Sequence, residues 1–349
     1  MFRSFCVIVF LACLYFIKSH FSLSDCRFLH PALKMRAPLH LECKERTMPN
    51  PAIAMNGLLD AEYFDFESTH VADSFRIFVA KLPFADKDKH YPAIYATDGN
   101  GSFPMVTSIQ RTLAWGGEAP AAFVIGVGYP PEGGYLQAIS KRNRDYPTTD
   151  GGDYARAMLG STFAAGGNAF LRFLTQELKP ELESRYAIDA DDSTFFGSSL
   201  GGLFGAWTLL GSPATFQRYI LASPAITWNG EEVWGWEQAC ADARSDLPAT
   251  VFLSAGELEA ADVARRYALT IQENNPMLRP RIKVMIAWFE EHGWPRTAEI
   301  GPEFAEKMRS RNYQGLKIHC HNMPDETHMS VSPAVISRGL RYVFDHWRP

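Results

Sequence analysis

The residues best suited to chemistry lie in one glycine-rich stretch, Gly197-Ser-Ser-Leu-Gly201. A short apolar run, Thr194 to Phe196, precedes it, and a helix-forming segment follows it. The spacing G-x-S-x-G suits a serine held in a strained turn between a strand and a helix, because side chains at the two glycines would collide with neighbouring backbone. The pattern predicts that Ser199 is a nucleophile at the apex of such a turn. A glycine-rich turn without chemistry is the alternative.

A serine hydroxyl is a weak nucleophile, so it needs an imidazole to accept its proton and a carboxylate to orient that imidazole. For a serine on a strand-to-helix turn, the expected chain order is serine, acid, histidine. Two glutamates, Glu257 and Glu259, follow the apolar run that ends at Ser254. We favour Glu259 as the acid and keep Glu257 as the alternative. The one not used has the ordinary role of stabilising the first turn of a helix.

The candidate base is His328, which lies in a polar loop before the last predicted helix and can reach back over the sheet edge. His319 and His321 alternate within a strand-like run, where an H-x-H pair could ligate a metal but more often only decorates the strand. The histidines that follow the predicted acid but are not favoured as the base are His292, His319, His321 and His346.

The oxyanion formed by attack on an acyl group needs two backbone donors. The first is the N–H of Leu200, which opens the helix after the nucleophile. The second is predicted in the loop after an earlier strand. That loop is Asp98-Gly-Asn-Gly101, and the N–H of Asn100 is the candidate donor. The same tetrapeptide is also a common turn sequence.

These residues must be positioned by an alternation of strands and helices. The strand-like runs are Glu62 to Glu67, Ser74 to Leu82, Tyr91 to Thr97, Ala121 to Gly128, Thr194 to Gly197, Arg218 to Ala222, Ala249 to Ser254 and Leu316 to Asn322. The helical candidates are Pro104 to Ala114, Gly167 to Arg185, Leu200 to Leu210, Glu259 to Asn274 and Ser332 to Trp347. The first two strands alternate polar and apolar residues, as an antiparallel edge pair does, whereas the central runs are continuously apolar.

This alternation predicts an α/β fold with a mostly parallel central sheet, an antiparallel N-terminal edge and helices on both faces. Ligands bind such sheets beyond the carboxyl ends of the strands, where Ser199 is expected. Three long segments, Tyr129 to Gly166, Ile226 to Asp246 and Asn275 to Gly301, are predicted to be irregular loops that form lids or substrate walls. The second is rich in tryptophan, and Trp228 is a candidate substrate contact.

A chain of 349 residues, 46% of them hydrophobic, can bury a large core, and we expect one catalytic domain at residues 57–349. The net charge is −5 with both signs interspersed, which argues against nucleic acid as a partner and favours a small-molecule substrate. Nothing in the sequence sets the oligomeric state.

The N-terminus differs in character from the remainder. Arg3 precedes an apolar run from Phe5 to Ile17, so residues 1–24 are predicted to be a signal peptide or an N-terminal extension, followed by a poorly defined segment at 25–56. The run is shorter than the roughly 18 residues of a membrane-spanning helix, and no stable membrane insertion is expected. A true signal would make the protein secreted or periplasmic; otherwise it would be cytoplasmic.

The six cysteines have no C-x-x-C spacing, which argues against a metal or redox site built on them. If the N-terminal segment is a signal, two disulfide pairs are candidates: Cys26 with Cys43, and Cys240 with Cys320.

Several motifs, in this order, resemble the putative-esterase family of α/β-hydrolases. That family holds siderophore esterases of the enterobactin and salmochelin type, formylglutathione hydrolases, feruloyl esterases and mycolyltransferases, and the resemblance is strongest to the siderophore-esterase branch. The motifs span about Glu62 to Trp347 and are Tyr91-Pro-Ala-Ile-Tyr-Ala-Thr-Asp-Gly-Asn100, Arg142-Asn-Arg-Asp-Tyr146, Gly166-Gly167 leading into Phe170-Leu-Arg-Phe-Leu174, Phe196-Gly-Ser-Ser-Leu-Gly-Gly-Leu-Phe204, Ser223-Pro-Ala-Ile-Thr-Trp-Asn229, Gly256-Glu-Leu-Glu259 and Thr327-His328.

The resemblance implies an α/β-hydrolase fold and a serine esterase that works through an acyl-enzyme without metal or cofactor. It implies Ser199 as nucleophile, His328 as base, Glu259 or Glu257 as acid and the segment near Asn100 as an oxyanion donor. A small ester or siderophore lactone is the first substrate hypothesis. The alternatives are an acetyl or feruloyl carbohydrate esterase, an acyltransferase, and a catalytically silent binding protein.

Arg142 and Arg144 carry a separate hypothesis, because a guanidinium fork suits anionic or catecholate oxygens of a substrate. The alternative is that Arg144 pairs with Asp145 or another carboxylate and holds its own segment in place.

Overall fold

The computed structural model describes residues 51–55, 57–86 and 88–345. The apolar N-terminal run, the candidate Cys26–Cys43 disulfide and the unfavoured base His346 lie outside the described residues. Within them, no helix has both the length and the apolar character needed to cross a membrane.

Nine strands in the described part of the chain form one twisted sheet in the order β1-β2-β3-β5-β4-β6-β7-β8-β9. The strands are β1 Ile53–Ala54, β2 Ala61–Ser68, β3 Asp73–Ala80, β4 Tyr91–Ala96, β5 Phe123–Gly128, β6 Ile188–Ser198, β7 Arg218–Ala222, β8 Thr250–Ser254 and β9 Lys317–Cys320. The first three strands are antiparallel to their neighbours, and β5, β4, β6, β7, β8 and β9 run parallel. The predicted mostly parallel sheet with an antiparallel N-terminal edge is confirmed.

The central strands are buried on both faces, as their continuous apolar runs predict. Every residue of β5 and β7 is buried, since helices cover the sheet on each side. The helices are α1 Gly99–Trp115, α2 Gly134–Asp145, α3 Gly152–Leu159, α4 Gly167–Arg172, α5 Lys179–Arg185, α6 Leu200–Gly211, α7 Trp228–Glu231, α8 Val233–Ala243, α9 Ala261–Asn274, α10 Arg279–His292, α11 Thr297–Ser310 and α12 Ser332–Val343. A π-helical turn, Phe173–Leu178, joins α4 to α5.

Two hydrophobic clusters show how the layers pack. On one face, Phe103 of α1 and Ile336 of α12 pack with Ile220 of β7. On the other face, the larger cluster contains Leu203 of α6 and Phe304 of α11. The sheet is therefore packed between α1 and α12 on one face and helices that include α6 and α11 on the other. The carboxyl ends of its strands are not covered by these layers and can form a site.

The three segments predicted to be irregular loops are largely helical, so that prediction is wrong. Residues 129–166 contain α2 and α3, residues 226–246 contain α7 and α8, and residues 275–301 contain α10 and the start of α11. Pro280 lies at the N-terminus of α10, where the missing N–H costs no hydrogen bond, and Gly151 and Gly160 bound α3 rather than interrupt it.

The candidate disulfide between Cys240 and Cys320 is also absent from the structure, where both cysteines are free. Cys240 is buried in α8, whereas Cys320 lies on the edge strand β9.

Close approach of α12 to the sheet gives a stability prediction. A Cβ atom at Gly339 would lie 2.6 Å from Cγ2 of Ile220, a β-branched side chain with little rotamer freedom. We expect Gly339→Ala to lower the free energy of unfolding by about 1–2 kcal/mol, although alanine favours a helix, because the overlap exceeds the helical gain. Urea denaturation with an unchanged m-value measures this change.

The matched control is Gly211→Ala at the end of α6, where a Cβ atom would meet nothing within 4 Å. This variant should be as stable as the parent or slightly more stable. Equal stability of the two variants would contradict the close packing of α12 on β7.

Candidate active site

Ser199 occupies the sharp turn between β6 and α6. Its backbone has φ 57° and ψ −119°, a conformation that a residue with a side chain adopts only where its surroundings enforce it. The turn is enforced by hydrogen bonds: the Ser199 N–H donates to the Ala222 carbonyl at 3.0 Å, and the Ser199 carbonyl accepts from Ala225 N–H at 3.0 Å. The strand–turn–helix context expected for a nucleophilic serine is present.

The two glycines of the motif are where the steric argument requires them. A Cβ atom at Gly197 would lie 2.4 Å from the Gly201 carbonyl oxygen, and one at Gly201 would lie 2.4 Å from Oγ1 of Thr97. Both distances are far below van der Waals contact. The turn that presents Ser199 therefore depends on glycine at both positions.

The carboxylate of Glu259 is buried and fully engaged. Its Oε2 contacts Nδ1 of His328 at 2.6 Å, and its Oε1 accepts hydrogen bonds from the Ser223 hydroxyl at 2.5 Å and from the Gly256 N–H at 2.8 Å. Burial opposes the charge of this carboxylate, but the nearby imidazole and the three hydrogen bonds outweigh burial and lower the pKa of Glu259. The group is therefore an anion at neutral pH.

Glu257, the alternative acid, faces elsewhere. Among the described residues, its Oε2 accepts one long 3.3 Å hydrogen bond, from the backbone N–H of Asp325. A short 3-10 turn, Glu257–Glu259, separates the two carboxylates by turning Glu259 inward. The structure thus brings Glu259, and not Glu257, onto His328.

The loop that carries His328 is fastened to the same 3-10 turn. The Leu258 N–H donates to the Glu326 carbonyl at 3.0 Å, and a Cβ atom at Gly256 would lie 2.2 Å from that oxygen. Because glycine allows this contact, the loop after β9 comes down directly over the end of β8. The imidazole of His328 therefore reaches a carboxylate 69 residues away in sequence.

His328 is oriented and electrostatically tuned by its partner. Burial favours the neutral imidazole, but the charge of Glu259 and the hydrogen bond to it outweigh burial and raise the pKa of His328, while the charge of Arg142 acts in the opposite direction. With Nδ1 donating to the carboxylate, Nε2 is the ring nitrogen able to accept a proton.

Parallel strands bring these groups to one edge of the sheet. Ser199, Ser223 and Glu259 follow the carboxyl ends of β6, β7 and β8, which are neighbours in the sheet. Ser223 is a site residue that sequence reasoning missed. It is fully buried and has φ 42°. The feature of the sequence that could have identified it is its position directly after the buried strand that ends at Ala222.

The predicted oxyanion donors open two helices at the same edge. Leu200 is the first residue of α6, and Asn100 is the second residue of α1. The first N–H groups of a helix have no intrahelical acceptor, so they suit a developing oxyanion. The side chain of Asn100 is bound to the residue that follows β5, because it exchanges two 2.8 Å hydrogen bonds with the backbone of Tyr129. Only the backbone of Asn100 can therefore serve the site.

The two arginines of α2 are held by carboxylates. Arg142 grips Asp98 with two contacts, Nε to Oδ1 at 2.6 Å and Nη2 to Oδ2 at 3.2 Å. Arg144 binds Asp145 at 2.6 and 3.0 Å and reaches Asp73 of β3 at 2.9 Å. The contacts of Arg144 are those of the structural alternative that the sequence left open, in which this residue ties its own segment down.

Trp228 is buried and does not line a surface that a substrate could reach. Its side chain is only 2% exposed, its indole N–H donates to Oγ1 of Thr149 at 3.0 Å, and its ring meets the ring of Tyr154 edge-on at 5.5 Å. The proposed direct substrate contact is therefore corrected to a packing role that supports α3 and α7.

The unfavoured histidines within the described residues lie in other surroundings. His292 stacks on Trp288 at 4.3 Å, and the rings of His319 and His321, at the end of the edge strand β9, stack 6.3 Å apart. Across residues 51–345, as far as they are described, no three histidine, cysteine, aspartate or glutamate side chains converge as metal ligands do.

Comparison with known proteins agrees with the fold and gives the family. A family model described as Putative esterase matches residues 73–331. The chain is 28% identical over 284 residues to the ferri-bacillibactin esterase BesA of Bacillus subtilis. The aligned region covers 77% of this chain and 84% of that protein. It is 25% identical over 266 residues to the siderophore triacetylfusarinine C esterase of Aspergillus fumigatus, with 73% and 82% covered.

A solved structure gives the same picture. The BES protein of Bacillus cereus matches with a TM-score of 0.63 at 25% sequence identity, over 86% of this chain and 99% of that one. The predicted α/β-hydrolase fold is thus confirmed by its structural neighbours. With the family model spanning most of the described residues, the chain belongs to the putative esterase family and is a carboxylic ester hydrolase related to siderophore esterases.

Proposed function

We propose that the protein is a serine esterase that cleaves carboxylic esters through an acyl-enzyme on Ser199, with His328 as the base and Glu259 as the acid. The observation that carries the proposal is the 2.6 Å contact between buried Glu259 and Nδ1 of His328, at the sheet edge where Ser199 sits on its strained turn. The order along the chain is serine, acid, histidine, as this scaffold requires.

Each step uses groups of this chain. Nε2 of His328 takes the hydroxyl proton as Ser199 Oγ attacks the ester carbonyl, and the N–H groups of Leu200 and Asn100 bind the resulting oxyanion. The tetrahedral intermediate then expels the alcohol, which receives the proton from His328. Water repeats the sequence on the acyl-enzyme and releases the acid. The proton acceptor and the oxyanion donors come from the protein itself, so the steps require no metal or organic cofactor.

The substrate we propose is a small ester or lactone of the siderophore type. Support comes from the relatives, which are named as esterases of ferri-bacillibactin and of triacetylfusarinine C. The surroundings of the site also suit an ester with apolar parts. Leu258 and Met329, the neighbours of Glu259 and His328 in sequence, are large apolar residues with 39% and 41% of their surface exposed.

The first prediction concerns the nucleophile and the base. Ser199→Ala and His328→Ala should each lower kcat for p-nitrophenyl butyrate by at least about 10³-fold, because each removes a partner of a single proton transfer. Initial-rate kinetics on variants with a native thermal transition measure this loss.

The matched control is His319→Ala, which removes an exposed imidazole from the edge strand β9. Its kcat should equal that of the parent. The proposal fails if Ser199→Ala retains turnover, or if the loss in His319→Ala matches the loss in His328→Ala.

The second prediction concerns the acid and the pH profile. Glu259 raises the pKa of His328, and the imidazole works as a base only when neutral. Glu259→Gln should therefore move the acid limb of kcat/KM to lower pH. It should also lower the plateau by about 10²–10⁴-fold, because the ring loses the carboxylate that orients it. A pH–rate series on a neutral ester measures both effects.

Glu257→Gln is the paired control, and both its acid limb and its plateau should match those of the parent. An unchanged profile in Glu259→Gln together with a shifted profile in Glu257→Gln would reassign the acid.

A further inference from the structure

Asp98 holds an unusual place at the start of α1. It is the N-cap residue of that helix and adopts the left-handed conformation with φ 56°. An aspartate at an N-cap normally accepts a hydrogen bond from the second or third N–H of the helix. The second N–H here belongs to Asn100, the proposed oxyanion donor. A conventionally capping Asp98 would therefore occupy the group that the reaction needs.

The carboxylate of Asp98 does not cap the helix. Within the described chain it makes no side-chain capping hydrogen bond to α1. It is instead gripped by Arg142 at 2.6 and 3.2 Å, and the guanidinium also lies over the ring of Tyr146, 5.4 Å from its centroid. Tyr146 holds the backbone of the same residue, since its hydroxyl accepts the Asp98 N–H at 2.9 Å.

The same carboxylate lies beside the nucleophile turn. A Cβ atom on Gly201 would be 3.6 Å from Oδ2 of Asp98, so the negative charge sits close to the residues that present Ser199. An uncompensated anion there would repel the oxyanion formed during attack and would be drawn to the positive end of α1.

We propose that Arg142 is a positioning residue that turns the Asp98 carboxylate away from the Asn100 N–H and neutralises its charge, so that the oxyanion site stays open. The inference rests on the proposed function. It differs from direct substrate binding, because Arg142 acts here through a residue of its own chain.

The test is a double-substitution cycle of Arg142→Met, Asp98→Asn and the two combined, assayed on a neutral p-nitrophenyl ester. Arg142→Met should lower kcat by about 10²–10³-fold, the loss typical of one disabled oxyanion donor, with KM little changed. The combined variant should recover at least about tenfold of that loss, because it removes the anion that Arg142 restrains. The readout that separates this role from a structural one is kcat measured on variants with the parent's thermal transition, because an ion pair that only supports the fold would show its loss and recovery in stability instead.

The control is a second bidentate pair of matching geometry away from the site. Arg76 binds Asp65 between β3 and β2 at 2.7 and 2.8 Å. The exposed side-chain fractions of that pair, 16% and 31%, match the 13% and 30% of Arg142 and Asp98. Arg76→Met, Asp65→Asn and their combination should leave kcat unchanged.

A combined variant no more active than Arg142→Met would overturn the inference. So would a rise in KM confined to anionic esters, which would assign Arg142 to direct substrate contact. If Arg142→Met fails to fold, the same double-substitution cycle is measured with Arg142→Gln, alone and combined with Asp98→Asn. A parent protein without turnover of any ester would overturn the proposed function and this inference with it, whereas failure of the inference alone leaves the parent active and Ser199→Ala inactive.

Discussion

The buried carboxylate of Glu259 is the constraint on which the site depends. Removing an unpaired carboxylate from water costs several kcal/mol, so an anion only 8% exposed must be matched by donors. Three donors from three segments supply the match: Gly256 N–H after β8, the Ser223 hydroxyl after β7 and the His328 imidazole after β9. The three hydrogen bonds to this one carboxylate thus fix three strand ends relative to each other. Because Nδ1 of His328 donates to Glu259, Nε2 is the ring nitrogen able to accept a proton.

The nucleophile turn is joined to this arrangement through backbone rather than through charge. Ala222, the last residue of β7, accepts a hydrogen bond from the Ser199 N–H, and Ala225 donates one to the Ser199 carbonyl. Between them, the hydroxyl of Ser223 donates to Glu259. On the opposite side, the start of α1 is held by Arg142 and Tyr146. In the proposed mechanism, the buried Glu259 carboxylate orients the base, and Arg142 keeps a second carboxylate, that of Asp98, away from the oxyanion site.

The sequence predicted the parts of this site that depend on local pattern. Ser199 followed from glycine spacing, and His328 and the acid followed from chain order on a parallel sheet. The sequence favoured Glu259 but kept Glu257 open, because no local signal reveals the direction of the 3-10 turn that separates the two carboxylates. Trp228 was predicted to contact substrate because its partner Thr149 lies 79 residues away in sequence. For Arg144 the sequence left substrate binding and pairing with a carboxylate both open, since its second partner, Asp73, is 71 residues away. Ser223 was missed for a related reason, since its function exists only through the distant Glu259.

The most direct test of the account is the site and rate of covalent labelling by a fluorophosphonate, which reacts much faster with a serine activated by a base than with other side chains. Mass spectrometry of the digested protein should find one label, on the peptide that contains Ser199. Labelling should disappear in Ser199→Ala and slow strongly in His328→Ala. A label on another serine, or labelling of Ser199 at the same rate without His328, would contradict the claim that the Glu259–His328 pair activates this nucleophile.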